Sequence, residues 1–535
     1  MNRFHAPLFF GSALAMIAAG YACSSSSSGN NGGPPLNEAG SDQTSSGSSS
    51  GAGSSSGTGS SSGTGSSSGS MEGGPAPSCD SLPGTVVYIE SGDTQEPLLK
   101  LLGRQLRDNA NITIVYQLTG SCTLTPNLYS GTKIPPNTNM LYIPSTAEDS
   151  AWTTKDPERT CTTAAGGGTA PVLGISALFT SSCAGIGQPP TGIGLINGPI
   201  QAYTFIVPTA EFANQTAITA PEAYYAFGDG MNNMVTYNGA NEWNVPTEFY
   251  LRPATKSTLV STAYNIGLTP KEMTLAGADG GSADGRRLLP ASTDVLNGVK
   301  NSTSMQAIGI LGDEVYDANR GMGVNVLAFA AFGQQYAFYP DSTTDSFDKQ
   351  NIRDGHYVDW SPTVYIAAVD GNGAPTDPTV KYITDLVTGA PGAAPPNGYA
   401  DGGAPIDGLG DIVKVGLTPN CAMQVQKSGD GKPLSPFSPA TPCTCYFLSK
   451  VPNGQLPASC TTCTSPSDCG DGSVGCFNGY CETPPVGPTT GQAGCMVSDG
   501  TNNGIINACT NATAIQKANL VIPAGPDGGL LPPNP

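Results

Sequence analysis

The chain has 535 residues, with 22 Lys+Arg against 41 Asp+Glu, a formal net charge of −19, and only 12% charged residues, about half the ~25% usual in soluble domains. This balance argues against nucleic acid as a partner, because phosphate backbones are held by clustered Lys and Arg. The histidines are His5 and His356 alone. A His-rich zinc site is thereby excluded, and a Ser-His-Asp triad would have to use His356.

The N-terminus reads as a signal peptide over residues 1–22. Arg3 supplies the positive start, and Ala6 to Ala19 is an apolar stretch too short for a bilayer span of ~20 residues. Gly20-Tyr21-Ala22 puts small residues at −3 and −1 before Cys23, which predicts cleavage and lipidation of Cys23. Residues 23–78 form a linker; 24–70 hold 21 Ser and 12 Gly. A segment with so little apolar surface cannot offset the entropy of ordering, and its span is roughly 35–40 Å. Fifteen Cys less Cys23 leave an even number, compatible with seven disulfides in an exported chain. Spacing leaves the pairing open, with Cys161/Cys183, and Cys443/Cys445 with Cys421, as local groups.

The body begins at Thr85. Val86-Val87-Tyr88-Ile89 is a β-branched and aromatic run, hence a strand. Ser91-Gly92-Asp93-Thr94 has turn and N-cap chemistry, and Glu96-Pro97 suits a first helical turn. Leu98, Leu99, Leu101, Leu102 and Leu106 make an apolar helical face. Ile112 to Tyr116 is a second strand, ending toward Gly120-Ser121. Strand, turn, helix, strand predicts an α/β fold with a parallel sheet and a site at the carboxyl ends of its strands. Further on, Val380 to Val387 reads as a helix capped by Asp377-Pro378 and stopped by Gly389.

Tyr88 to Lys100, then Ile114 to Gln117 with Gly120-Ser121-Cys122, resemble the opening of phosphate ABC-transporter substrate-binding proteins. Four later stretches continue the resemblance in the same order: Gly174-Ile175-Ser176-Ala177; Gln201 to Pro208, similar to the crossover strand; Arg252 to Thr258, similar to an Arg…Ser-Gly-Thr loop; and Ala307 to Leu311. It spans roughly Thr85 to Gly389. It implies a two-lobed periplasmic-binding-protein-like fold over 79–420, with lobe I at 85–199 and 335–420 and lobe II at 200–334. The resemblance implies inorganic phosphate or a similar oxyanion as ligand and an ABC permease as partner. Ala177 stands where the family carries an Asp that accepts a proton-bearing oxygen of the ligand.

The residues themselves are suited to an anion. Helix N-termini carry about half a positive charge and free N–H groups. Gly92, Asp93 and Thr94, then Gly120 and Ser121, are placed to form such ends, and the resemblance adds Ser176 to the candidate site. From the second lobe, Arg252 can offer two parallel N–H bonds, Lys256 a charge, and Ser257 and Thr258 hydroxyls. His356 with Asp354 is closer to a buried, hydrogen-bonded histidine than to an acid/base pair, since no nucleophile is in view. No cofactor, metal or enzymatic activity is expected.

After Cys421 the chain is read as a Cys-rich region to Cys509, followed by a disordered tail over 510–535. The expected function is that of an exported, lipid-anchored solute-binding protein in the periplasm or at the cell surface. The alternative is a cell-surface adhesion or scaffold protein that keeps the fold without transport.

Overall fold

A computed structural model describes residues 76–210, 216–228, 243, 245–275, 281–334, 336–343, 345–396, 405–454, 456–470 and 475–482, and a short strand at 517–518. The predicted signal peptide, Cys23, and the linker up to residue 75 lie outside the described residues.

The first lobe opens with β1 (Thr85–Gly92), α1 (Glu96–Ala110), β2 (Ile112–Thr119), α2 (Ser121–Ser130), β3 (Asn139–Tyr142), β4 (Arg159–Thr162) and β5 (Leu173–Ser176). β1 pairs in parallel with β2 and with β5, the predicted βαβ arrangement. Leu98, Leu99, Leu102 and Leu106 of α1 are buried against this sheet, as a stripe repeating at helical spacing must be.

The 16-residue strand β6 (Ile193–Pro208) leaves lobe I and runs into lobe II. Lobe II contains β7 (Ala217–Thr219), α3 (Ala220–Gly228), β8 (Phe249–Leu251), α4 (Ser257–Asn265), α5 (Pro270–Thr274), β9 (Arg287–Leu288), α6 (Ser292–Asn301), β10 (Ile308–Gly312), α7 (Asp313–Asp317), β11 (Val324–Val326), β12 (Ala328–Ala330), β13 (Ala337–Phe338) and α8 (Gln350–Arg353). The chain returns to lobe I only in β14 (Trp360–Ala368), later than the expected boundary at 335, because β13 pairs with β12 and Ile352 and Tyr357 fill the lobe II core, and it continues as α9 (Pro378–Thr388) and α10 (Gly408–Lys414). One sheet of eleven strands runs through both lobes in the order β4-β3-β2-β1-β5-β14-β6-β10-β8-β9, with β11 also on β6. The N-terminal part of β6 pairs with β14 up to Ala202↔Trp360, and its C-terminal part with β10 from Tyr203↔Gly312. The change of partner between Ala202 and Tyr203 marks the hinge. The result is a two-lobed α/β fold, as expected for this part of the chain.

Each lobe has its own core. Phe205, Phe227, Phe249 and Phe329 centre lobe II, and Ile89, Ile114, Leu173 and Tyr365 centre lobe I. α9 is capped as the sequence predicts: Asp377 accepts from the Thr379 and Val380 amides at 2.8 and 3.0 Å. Gly389 ends it at φ +71°, where a Cβ would also lie 2.8 Å from Leu409.

The remaining elements are β15 (Val425–Lys427), β16 (Leu434–Pro436), α11 (Thr444–Lys450), β17 (Gly475–Phe477), β18 (Tyr480–Glu482) and β19 (Lys517–Ala518). Two readings change here. Residues 421–451 are not a separate Cys-rich module, because Met423, Val425 and Leu434 belong to the lobe II core and Cys421, Cys443, Tyr446 and Phe447 to the lobe I core. In the predicted tail, Lys517–Ala518 pairs antiparallel with β13; the rest of 510–535 lies outside the described residues.

Among the described residues six disulfides join Cys79–Cys161, Cys122–Cys183, Cys421–Cys443, Cys445–Cys460, Cys463–Cys476 and Cys469–Cys481. Cys161 and Cys183, grouped by sequence proximity, each pair with an earlier cysteine. Spacing along the chain does not report which strand ends the sheet brings together.

Candidate functional site

The predicted site residues come from three strand ends of lobe I and one loop of lobe II. β1 ends at Gly92, and Asp93–Gln95 make one 3-10 turn before α1. β2 ends at Thr119, and Gly120 caps α2, which starts at Ser121. β5 ends at Ser176. In lobe II, Arg252 follows β8, and Ser257 and Thr258 open α4.

These groups face one another across the seam between the lobes. Arg252 is 1% exposed. Its Nε donates to the Leu289 carbonyl at 3.1 Å, Nη2 to the Pro290 carbonyl at 2.7 Å, and Nη1 to Ser292 Oγ. These three bonds fix it within lobe II. Nη2 also crosses the seam to the carboxylate of Asp93. Lys256 Nζ crosses as well, donating to the Thr119 carbonyl at 2.9 Å and lying 3.6 Å from Asp93 Oδ2.

Two expectations are corrected by this geometry. Asp93 is not an N-cap: no side-chain cap bond is made at the start of either helical turn there, and its carboxylate goes to Arg252 instead. Arg252 does not keep a free two-pronged fork, because most of its donors are taken by lobe II. The N-terminus of α2 is likewise met by lobe II. The Cys122 amide donates to the Thr255 carbonyl at 3.4 Å, and Gly120 is required there, since a Cβ would sit 2.8 Å from that oxygen.

The other predicted residues are buried at the same seam. Ser121 Oγ accepts from the Ala177 amide at 3.0 Å, and Ser176 Oγ donates to the Leu178 carbonyl at 3.0 Å. Thr94 and Thr258 are 6% and 1% exposed, and their hydroxyls have no hydrogen-bond partner. Burying an unpaired hydroxyl costs ~1–3 kcal/mol, so these two groups are underused as the lobes stand.

The floor of the seam contains residues that sequence reasoning missed. Tyr203 of β6 donates its hydroxyl to the Ala177 carbonyl, and burial raises its phenol well above the ordinary value, partly offset by Ser257. Gln95 Nε2 donates to Gln201 Oε1 at 3.2 Å, and Gln201 Nε2 donates to the carboxyl of Glu314 at the start of α7. Burial pushes Glu314 up to about 8, against its own backbone amide and the Gln201 amide, which lower it. Gln95 Oε1 and Glu314 Oε1 are also unpartnered. One signal was available: Gln201 is a polar residue in an apolar strand, two positions from Tyr203 and therefore on the same face.

His356 takes no part. It is buried beside the Phe338 ring, 4.7 Å between centroids, with Nδ1 2.5 Å from Asp354 Oδ1.

No family model matches the chain, and no curated protein matches it significantly in sequence. Among solved structures, an ABC-type phosphate transport receptor from Vibrio cholerae aligns over 62% of this chain and 99% of its own, at 14% identity and a TM-score of 0.38. PstS from Borrelia burgdorferi aligns over 63% and 98%, at 14% identity and a TM-score of 0.35. An OxyR C206 mutant from Corynebacterium glutamicum aligns over 58% and 64%, at 8% identity and a TM-score of 0.30. Likeness at this level assigns neither ligand nor activity.

Proposed function

We propose that the protein is an exported solute-binding protein whose lobes close over a small oxyanion, phosphate or a relative, at the Asp93–Arg252 seam. It acts by binding, not by catalysis. The observation that carries this reading is Arg252: a cation almost wholly removed from solvent, fixed in lobe II by three bonds, with Nη2 turned to lobe I beside Lys256 and two unpaired threonine hydroxyls. Two cations oppose one carboxylate there, so an entering anion that displaces Asp93 keeps the site's charge complement and gives Thr94 and Thr258 acceptors. Cys23 carries the lipid anchor, and an ABC permease is the partner. Among the described residues no helix is long and apolar enough to cross a membrane.

The second reading is a cell-surface scaffold that retains the fold without a ligand. It is favoured by Asp93 and the Thr255 carbonyl, which already occupy Arg252 and the Cys122 amide. Calorimetry and thermal shift with phosphate, arsenate and sulfate separate the two. Binding predicts a rise in melting temperature, since a ligand at 100 times its Kd adds ~2.7 kcal/mol, and loss of that rise in Arg252→Ala. No response to any of the three anions, in the native protein and in Asp93→Ala alike, leaves the scaffold reading.

A further inference from the structure

A two-lobed hinge needs the chain to cross between lobes in β6 and again on the way into β14. Between Leu417 and Cys443 the described chain crosses twice more. Leu417, Cys421 and Ala422 lie in the lobe I core, Met423, Val425 and Leu434 in the lobe II core, and Cys443 is back in the lobe I core. The Cys421–Cys443 disulfide closes the excursion at its base.

The excursion is bonded to both lobes. Asp430, at its tip, is 5% exposed and accepts from Ser182 Oγ at 2.6 Å. Ser182 belongs to lobe I, and the next residue, Cys183, is tied to Cys122 of α2. The other Asp430 oxygen accepts from Ser261 Oγ of α4 at 3.2 Å and from Ser361 Oγ of β14. One carboxylate therefore joins lobe I, the hinge strand and lobe II. Lys427 Nζ donates to the Trp360 carbonyl at 3.0 Å and to Asn265 Oδ1 at 3.3 Å, pinning the stem of the excursion to the hinge and to α4. Gly431 is seated so closely on α4 that a Cβ would lie 2.6 Å from the Tyr264 carbonyl oxygen.

We propose that residues 423–437 form a clasp that holds the two lobes closed, and that the seam opens only when Asp430 lets go of Ser182. Hydrogen bonds in a low-dielectric interior are stronger than in water, and a carboxyl group shared by hydroxyls of both lobes cannot keep all of them if either lobe swings away. The disulfide keeps the clasp's base fixed, so release is local to the tip.

Hydrogen exchange on the full-length, oxidised protein in anion-free buffer tests this without reference to any ligand. The Cys122 amide, bonded across the seam to Thr255, reports opening, and the α9 amides report the lobe I interior. Ser182→Ala removes one hydroxyl and leaves the Ser261 and Ser361 bonds to Asp430 in place; the clasp predicts about 10-fold faster exchange at Cys122 or more, with α9 unchanged. Asp430→Ala should do the same more strongly. Unchanged exchange at Cys122 in Ser182→Ala overturns the clasp, as does acceleration spread equally over the seam and α9. If Asp430→Ala does not fold, Ser182→Ala still decides.

Discussion

The seam and the interior of lobe II solve the same electrostatic problem in opposite ways. At the seam, Arg252 and Lys256 oppose the single carboxylate of Asp93, and the partners sit on bodies joined by a hinge. Inside lobe II, Lys349 is surrounded by Asp313 at 2.6 Å, Asp317 at 2.6 Å and Asp341 at 3.3 Å, with Arg320 on Asp317 and Asp341. There the excess is negative. Burial, countered by Lys349 but reinforced by Asp317 and Asp341, pushes Asp313 up to about 7. Burial alone would lower Lys349, yet its three carboxylates together raise it. Raised this far, Asp313 lets the interior cluster reduce its imbalance by taking up a proton. The seam has an excess of cation and unpaired hydroxyls, and on the proposed function an entering anion meets that excess. A cluster that fastens a lobe and one that is suited to exchange a ligand are told apart by the sign of what is left over.

The sharpest test of the contrast is Lys349→Met. Removing one partner of a buried charge group costs about 3–5 kcal/mol, and three acidic side chains are left facing one another. A thermal melt should show a large fall that phosphate does not reverse. A fall that phosphate did reverse would mean the interior cluster, too, is an anion site.

Asp93→Ala is the matching experiment at the seam, with a smaller effect. Asp93 is 21% exposed, so the loss falls mainly on Arg252, left buried with one donor unmet. A cost of ~1–3 kcal/mol is expected in anion-free buffer. Phosphate should restore the loss and bind more tightly than to the native protein, because the internal competitor is gone. Destabilisation without rescue would place Asp93–Arg252 with the interior cluster, as a fastening.

Much of the framework was legible because it rests on local chemistry. The α1 leucine stripe, the Asp377 cap with the Gly389 stop, and the strand at Ile112 to Tyr116 follow from period and punctuation alone, whereas the strand at Ala307 to Leu311 was implied by the resemblance. The site was legible only as a set of residues. Asp93 looked like a cap because turn chemistry is all that a Gly-Asp-Thr sequence displays; the cation that claims it lies 159 positions away. Gln95, Gln201 and Glu314 meet only because β6 changes partner at Ala202, a fact of tertiary pairing. The start of the Cys-rich region was placed too early, at 421, for a related reason. Cysteine density resembles a small stapled module, and nothing local reveals that Met423, Val425 and Leu434 fill another lobe's core.

Glu314 gives the finest test, because it separates the seam's floor from its walls. Its carboxyl is raised from 4.5 to about 8 by burial, so the folded chain keeps a proton that the unfolded chain releases. Between those values the native state binds more protons than the unfolded state. Stability therefore falls as pH rises through the window, by up to ~1.4 kcal/mol per pH unit for one such group. Asp313 and Asp359, both pushed up to about 7 chiefly by burial, add slope of the same sign. Glu314→Gln keeps an oxygen to accept from Gln201 and mimics the protonated form. Denaturant melts should then show near-native stability at pH 5, greater stability than native at pH 8, and a shallower decline between them. An unchanged slope would mean Glu314 is ionised in the fold, and the hinge would then carry a negative charge beneath the Asp93–Arg252 seam.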